Sequence, residues 1–132
     1  MGHRQRQQAR FNRGAGITDH NSRDTLNGNK TNFNGQWGVF VQQPLRGRTR
    51  MYRILDSTAN YNRLSGFKID DNTPTTFFQA RVMGNTAKNN GQAGQADGWG
   101  FFADAPVVSD TSNTASHNLA GQCHNVQCTI LP

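Results

Sequence analysis

The chain has 132 residues, which fits one domain large enough to bury a core without disulfide or metal support. A third of the residues are apolar, glutamate does not occur and leucine occurs only six times, so the residues that favour long helices are scarce. Asparagine (15), glutamine (11) and glycine (14) are abundant instead, which favours strands joined by polar loops. No stretch has the apolar length of a membrane span or the apolar run of a secretory signal, so we expect no membrane partner.

The net charge of +6 is unevenly distributed along the chain. Residues 1–63 contain eleven Lys and Arg against three Asp, a net +8, whereas residues 64–132 contain three against five, a net −2. Ten of the eleven cations in the first part are arginines, whose guanidinium groups bind phosphate or carboxylate with two parallel hydrogen bonds. A basic front and a mildly acidic back predict two surfaces that bind different partners.

Residues 1–35 have the composition of an extended arm. The opening stretch MGHRQRQQARFNRGAG has no acidic residue and carries Arg4, Arg6, Arg10 and Arg13. The apolar residues up to position 35 are isolated, and their spacing matches neither a helix nor a sustained strand. We therefore expect an arm that is ordered only by an anionic polymer or by a neighbouring subunit.

Residues 36–132 read as a compact β domain. The strands predicted from alternation and turn residues are 36–42, 49–55, 64–69, 75–83, 98–103, 105–109 and 125–131. The first two form a hairpin around Pro44 and Gly47, and residues 84–98 form a long Gly/Asn loop. We recognise no internal repeat. Seven short strands predict an all-β fold, namely a jelly roll or a β-sandwich or barrel, behind the basic arm.

A second arginine cluster follows the predicted hairpin turn. Alternate residues of a strand point to the same side about 6.7 Å apart, so residues 46, 48, 50 and 52 form one stripe. Three guanidinium groups followed by an aromatic ring suit phosphates and a stacked base. An acidic patch on a neighbouring protein and a solvated sheet edge are the alternatives. The cluster consists of Arg46, Arg48, Arg50, Tyr52 and Arg53.

No motif predicts an enzyme, a metal site or a cofactor. On one straight strand Cys123 and Cys128 would lie about 17 Å apart on opposite faces, which predicts a buried Cys128 and no disulfide. The Asp70-Asp71-Asn72 stretch precedes Thr-Pro and is typical of a turn rather than of a calcium site. The four histidines are scattered, without a nucleophile context or a phosphate-binding glycine loop.

The layout resembles that of small virion structural proteins, in which an arginine-rich arm precedes a Thr/Asn/Gly-rich β domain. The resemblance implies a minor capsid, vertex or cement protein, or a small coat protein, in the virion after synthesis in the host cytoplasm. Its partners would be further copies of itself, a larger capsid protein and, through the arm, genomic nucleic acid. Two alternatives remain open. One is a non-viral nucleic-acid-binding barrel, ribosome-associated or OB-like, and the other is a carbohydrate-binding β domain that uses Trp37, Trp99 and the Asn-rich loops.

Overall fold

The described residues form three sheets built from short strands. The computed structural model describes residues 3–5, 8–19, 25–42, 53–70 and 81–132. Sheet A contains β1 (His3–Gln5), β4 (Thr25–Asn27), β7 (Arg53–Leu55), β10 (Arg81–Met83) and β13 (Val108–Ser109). Sheet B contains β2 (Gln8–Arg10), β5 (Lys30–Asn32), β8 (Thr58–Asn60), β11 (Thr86–Lys88), β14 (Thr114–Ser116) and β16 (Thr129–Ile130). Sheet C contains β3 (Ile17–Asp19), β6 (Val39–Val41), β9 (Phe67–Ile69), β12 (Trp99–Ala103) and β15 (Gly121–His124).

Through β15 the chain visits sheets A, B and C in turn, and each strand pairs in parallel with the strand three positions along the chain. This is a three-sided β-solenoid, and we call each turn of the chain through the three sheets a coil. The last strand, β16, follows β15 and pairs with β14 in sheet B. The register advances by 28 residues from Thr25 to Arg53 and by 28 more to Arg81. In sheet C it advances by 34 residues from Phe67 to Phe101, because the connection that contains residues 91–98 is longer in coil 4. The sequence therefore contains an internal repeat of one coil, and the expectation of no repeat is wrong.

The all-β prediction is confirmed, whereas the jelly roll or sandwich is not. Those folds pair their strands in antiparallel fashion, and every pair among the described residues is parallel. The hairpin predicted at 36–55 is wrong for this reason: β6 pairs with β3 and β9, and β7 pairs with β4 and β10. Residues 1–35 contain β1 to β5, which lie in the same sheets as the later strands, so the pairing does not separate an arm from a domain at residue 35.

Each sheet contributes a different kind of side chain to the core. Sheet A buries a column of Leu26, Ile54 and Val82, while sheet B buries small residues. Sheet C buries larger ones, among them Phe67 and Phe101, whose parallel rings stack with centroids 4.9 Å apart. The small side chains of sheet B leave room for these rings, so small residues on one sheet offset large residues on another within the core. The sheet B column is Ala9, Thr31, Ala59, Ala87 and Ala115, with Ala9 only partly buried.

Buried asparagines define the corner between sheets B and C. The side-chain Nδ2 of Asn34 donates to Oδ1 of Asn62, that of Asn62 to Asn90, and that of Asn90 to Asn118, at 2.9–3.0 Å. Each of these amides also satisfies backbone groups of adjacent coils. A glycine faces the ladder in each of coils 1 to 4, where a Cβ would lie 2.6–2.8 Å from a ladder Nδ2; these glycines are Gly16, Gly38, Gly66 and Gly100. The high asparagine content therefore belongs partly to the interior, not only to loops.

A disulfide closes the C-terminal end of the solenoid. Cys123 and Cys128 are bonded, with Cα atoms 6.4 Å apart. The sequence prediction was wrong because the two residues do not share a straight strand: β15 ends at His124, and Asn125 has a φ of 57° that turns the chain. Val126 is buried by this turn, but Ile130, expected on the same buried face, is 64 % exposed.

Several predicted strands are confirmed over shorter lengths. β6, β9 and β12 lie inside the predicted segments 36–42, 64–69 and 98–103. The predicted loop 84–98 contains strand β11. The strand was missed because it consists of Thr, Ala and Lys and has no large apolar residue. No helix in the described part of the chain is long and apolar enough to cross a membrane.

Candidate functional site

One exposed backbone position recurs beside the asparagine ladder. Asn12 of coil 1 continues the ladder, because its Nδ2 donates to Oδ1 of Asn34 at 3.0 Å. The residue before each of the five ladder asparagines has a left-handed backbone, with φ between 56° and 59°. Bulky residues rarely adopt this conformation, whereas Asn and His tolerate it better. Coils 4 and 5 follow that preference, but the first three coils carry aromatic residues here. In chain order the position is occupied by Phe11, Phe33, Tyr61, Asn89 and His117.

The three aromatic rings of this column stack along the solenoid axis. Phe11 and Phe33 have centroids 5.4 Å apart and planes within 13°, and Phe33 and Tyr61 have centroids 5.0 Å apart and planes within 2°. These distances exceed the ring contact distance of about 3.5 Å, so the rings are laterally offset like steps. Phe11, Phe33 and Tyr61 are 75 %, 45 % and 53 % exposed in chain order, so the stack lies at the surface of the solenoid.

A shallow groove of about 810 Å³, wide open to solvent, follows this aromatic staircase over four coils. Its second wall is the column two residues further along each coil, where Arg13 and Arg63 alternate with Gly35 and Gly91. The buried amides of Asn34 and Asn62 contribute the floor, and polar side chains such as Gln92 lie at the coil-4 end. Among the described residues that line the groove there are rings, cations and amides but no carboxylate.

The structure separates the predicted site residues rather than bringing them together. Arg13 lines the groove, and Arg10 is exposed at the end of β2, one residue before Phe11. Arg53 is exposed on sheet A, where it pairs in register with Arg81, and it is not part of the groove. Arg4 belongs to β1, whose backbone alone is described. The remaining residues lie outside the described part of the chain: Arg6, Arg46, Arg48, Arg50 and Tyr52.

The two tryptophans lie at the start of sheet C strands, outside the groove lining: Trp99 begins β12 and Trp37 lies two residues before β6. The indole N–H of Trp37 donates to Asp97, which also accepts from Ser65 and lies 3.7 Å from the Lys68 ammonium group. Trp99 packs near Phe102 and His124 instead. These contacts attach the loop before β12 to the outer surface of sheet C, and they give the tryptophans a structural role.

A pair of carboxyl groups lies just after the strands of sheet C. A hydrogen bond to Asp70, together with partial burial and the negative charge of Asp70, raises the pKa of Asp104 to about 6, and Lys68 opposes the shift. Asp104 is therefore protonated in mildly acidic solution, where it can donate a hydrogen bond to Asp70. No group of three or more His, Cys, Asp or Glu among the described residues is arranged to hold a metal ion.

The aromatic staircase was missed because its members are 22 and 28 residues apart in sequence. Phe11 and Phe33 were interpreted as isolated apolar residues of an arm. A signal was nevertheless present, since a five-residue pattern with a small residue second and Asn fifth recurs once per coil. Its copies are QARFN, KTNFN, TANYN, TAKNN and TASHN, ending at residues 12, 34, 62, 90 and 118.

A scan of protein-family models, a search of the curated proteins and a search of the solved structures each gave no match for this chain. The function is therefore argued from the geometry of the groove alone.

Proposed function

We propose that this protein is a non-enzymatic, carbohydrate-binding β-solenoid that holds an extended polysaccharide in the groove along its axis. The observation that carries the proposal is the exposed staircase of Phe11, Phe33 and Tyr61. Aromatic residues at this left-handed position cost about 1–2 kcal/mol each relative to a residue that tolerates it. The fold does not need them, because coils 4 and 5 form the same turn with Asn89 and His117. Strain of this kind supports a role in ligand binding.

The spacing of the rings favours sugars over nucleobases. A base inserted between two aromatic rings needs about 7 Å between their planes, twice the ring contact distance. The centroids here are 5.0 and 5.4 Å apart, so no base fits between neighbouring rings. A sugar chain can instead lie along the exposed side of the stack, while its hydroxyl groups bond to amides such as Asn89 and Gln92. Glycoside hydrolysis uses two carboxyl groups, and the described groove walls offer cations and amides, which supports binding without cleavage.

Binding of the purified protein to immobilised polysaccharides tests this proposal. Cellulose, chitin, hyaluronan and pectate cover neutral and anionic chains, and single-stranded oligo-dT covers the nucleic-acid alternative. We expect Tyr61→Ala and Phe33→Ala to weaken polysaccharide binding at least about tenfold, because each removes a ring that the ligand covers.

His117→Ala is the matched control. It changes the same backbone position, with the same φ, in a coil whose residue does not line the groove. It should leave binding unchanged. Binding to oligo-dT without binding to any polysaccharide would overturn the proposal.

A role as a virion structural component is the second candidate. A solenoid converts sequence position into axial position, so the basic front and acidic back of the sequence become two differently charged ends. Such a rod can join copies of itself or a larger shell protein, and its basic end can contact nucleic acid. The Cys123–Cys128 disulfide also suits an oxidising setting such as a particle surface.

Light scattering in low and high salt, with the 260/280 nm absorbance ratio of the same peak, tests this second candidate. A large particle that carries nucleic acid indicates a shell component. A monomer free of nucleic acid that still binds polysaccharide indicates a binding module alone.

A further inference from the structure

The arginines of the groove alternate with glycines from coil to coil. The N–H of Gly35 donates to the carbonyl of Asn12, that of Arg63 to Asn34, and that of Gly91 to Asn62. These bonds place positions 13, 35, 63 and 91 at the same point of four successive coils. From coil 1 to coil 4 this wall of the groove therefore presents a cation, a glycine, a cation and a glycine. Each of them lies opposite one residue of the left-handed column.

The gaps in this wall are fixed by the backbone. A Cβ at Gly35 would lie 2.3 Å from the carbonyl oxygen of Arg13. Gly91 has a φ of +100°, and a Cβ there would lie 2.8 Å from Leu119 Cβ and 2.9 Å from Gly98 Cα. A side chain fits at neither position without a backbone shift. Two neighbouring coils therefore cannot both present a cation, and Arg13 and Arg63 are two coils apart.

We propose that the groove selects an anionic polysaccharide whose acid groups occur on every second sugar unit, an inference that rests on the proposed carbohydrate-binding function. Adjacent coils are about 4.8 Å apart, so equivalent points on coils 1 and 3 are about 9.6 Å apart. One coil is close to the axial length of one sugar in an extended polysaccharide. A chain that follows the axis thus places one sugar per coil on the staircase, and every second sugar faces a guanidinium group.

Charge complementarity supports an anionic ligand and excludes a cationic one. Arg13 and Arg63 are both exposed and line the groove, and no carboxylate lies among the described residues of its walls. A guanidinium group binds a carboxylate or sulfate oxygen pair with two hydrogen bonds. A ligand with an acid on every sugar would leave each second acid opposite a glycine, without a cation to neutralise it.

The test compares three soluble oligosaccharides of equal length by isothermal titration calorimetry. Hyaluronan oligomers carry one carboxylate per two sugars, oligogalacturonate carries one per sugar, and chito-oligosaccharides carry none. We expect hyaluronan oligomers to bind most tightly. Arg13→Gln and Arg63→Gln should each weaken that binding up to about fivefold and flatten its salt dependence. Arg53→Gln is the matched control, because Arg53 is exposed on sheet A outside the groove.

The outcomes separate this inference from the proposed function. If Tyr61→Ala abolishes binding of all three ligands but the arginine variants change nothing, carbohydrate binding stands and the alternating-charge inference is wrong. Oligogalacturonate binding as tightly as hyaluronan also overturns the inference. If none of the three ligands binds while oligo-dT does, both the inference and the proposed function are wrong.

Discussion

Replacement of Asn62 by alanine should be among the most destabilising single changes in the chain. The side chain is buried, and its Oδ1 accepts hydrogen bonds from the backbone N–H and the Nδ2 of Asn34. Its Nδ2 donates to the carbonyl of Thr31 and to Oδ1 of Asn90. Alanine removes all four bonds at once and leaves water no access to the groups that lose them.

The expected cost follows from the groups left without that partner. Asn34 Nδ2 retains its bond to the carbonyl of Ala9, and Asn90 Oδ1 retains the backbone N–H of Asn62. The N–H of Asn34 and the carbonyl of Thr31 lose a buried partner, at about 1–3 kcal/mol each. With the small cavity added, the free energy of unfolding should fall by about 3–5 kcal/mol. This is a large part of the 5–15 kcal/mol that stabilises a typical domain.

Urea unfolding followed by circular dichroism measures this loss, with Asn60→Ala as the control. Asn60 is in the same coil but only half-buried, and its Oδ1 accepts one bond, from the N–H of Lys88. Water can replace that bond, so the control should lose no more than about 1 kcal/mol. Equal losses for the two variants would refute the claim that the ladder, rather than asparagine content as such, stabilises the solenoid.

Two further predictions concern the C-terminal half. Asp104 has a folded pKa of about 6 against 3.8 in the unfolded chain, so its contribution to stability is present below pH 4 and is lost as the pH rises through 6. Asp104→Asn should keep a hydrogen bond to Asp70 and remove this pH dependence. It should stabilise the protein by up to about 1 kcal/mol at pH 7.5, after allowance for solvent screening. If the melting temperature of the variant depends on pH between 4 and 7 as that of the unchanged protein does, the raised pKa of Asp104 is contradicted. Reduction of the Cys123–Cys128 disulfide should lower the free energy of unfolding by about 2 kcal/mol, because the disulfide closes a short loop. Hydrogen exchange of the reduced protein should show residues 121–132 opening first. Uniform exchange along the chain would argue against a separate C-terminal cap.

The fold class could be predicted from composition, but the topology could not be predicted from strand patterns taken one at a time. The alternation in segments such as 64–69 identifies a strand and its buried residues Phe67 and Ile69. It does not say which strand lies alongside. In a parallel solenoid the partner is one coil away, about 28 residues, whereas a turn signal such as Pro44 and Gly47 suggests a local hairpin. Only a search for the recurring Asn with a fixed spacing would have decided between them.

The charge pattern was a weaker guide to the site than the asparagine pattern. Arginine content drew attention to two clusters along the chain, and of the predicted residues whose side chains the structure describes, only Arg13 lines the groove. Its counterpart Arg63 was not singled out, because its neighbours in sequence are Asn62 and Leu64 and not other arginines. Arg13 and Arg63 are 50 residues apart in sequence, but they line the same groove because they occupy equivalent positions of coils 1 and 3. Proximity in sequence does not reveal such a relation.

The geometry of one coil explains why this groove can vary in chemistry while the fold stays constant. The ladder asparagine fixes the corner with its side chain turned inward, and the residue before it is therefore forced outward in a left-handed conformation. Nothing in the interior depends on the identity of that outward residue, as the series from Phe11 to His117 illustrates. The residue two positions further on is constrained where neighbouring atoms come close, as at Gly35, which faces the backbone of Arg13 in the preceding coil, and at Gly91. The left-handed column can thus change coil by coil at little cost to the ladder, whereas the second column can change only where a side chain fits. Selection on ligand binding can act on the rings and arginines independently of selection on the core.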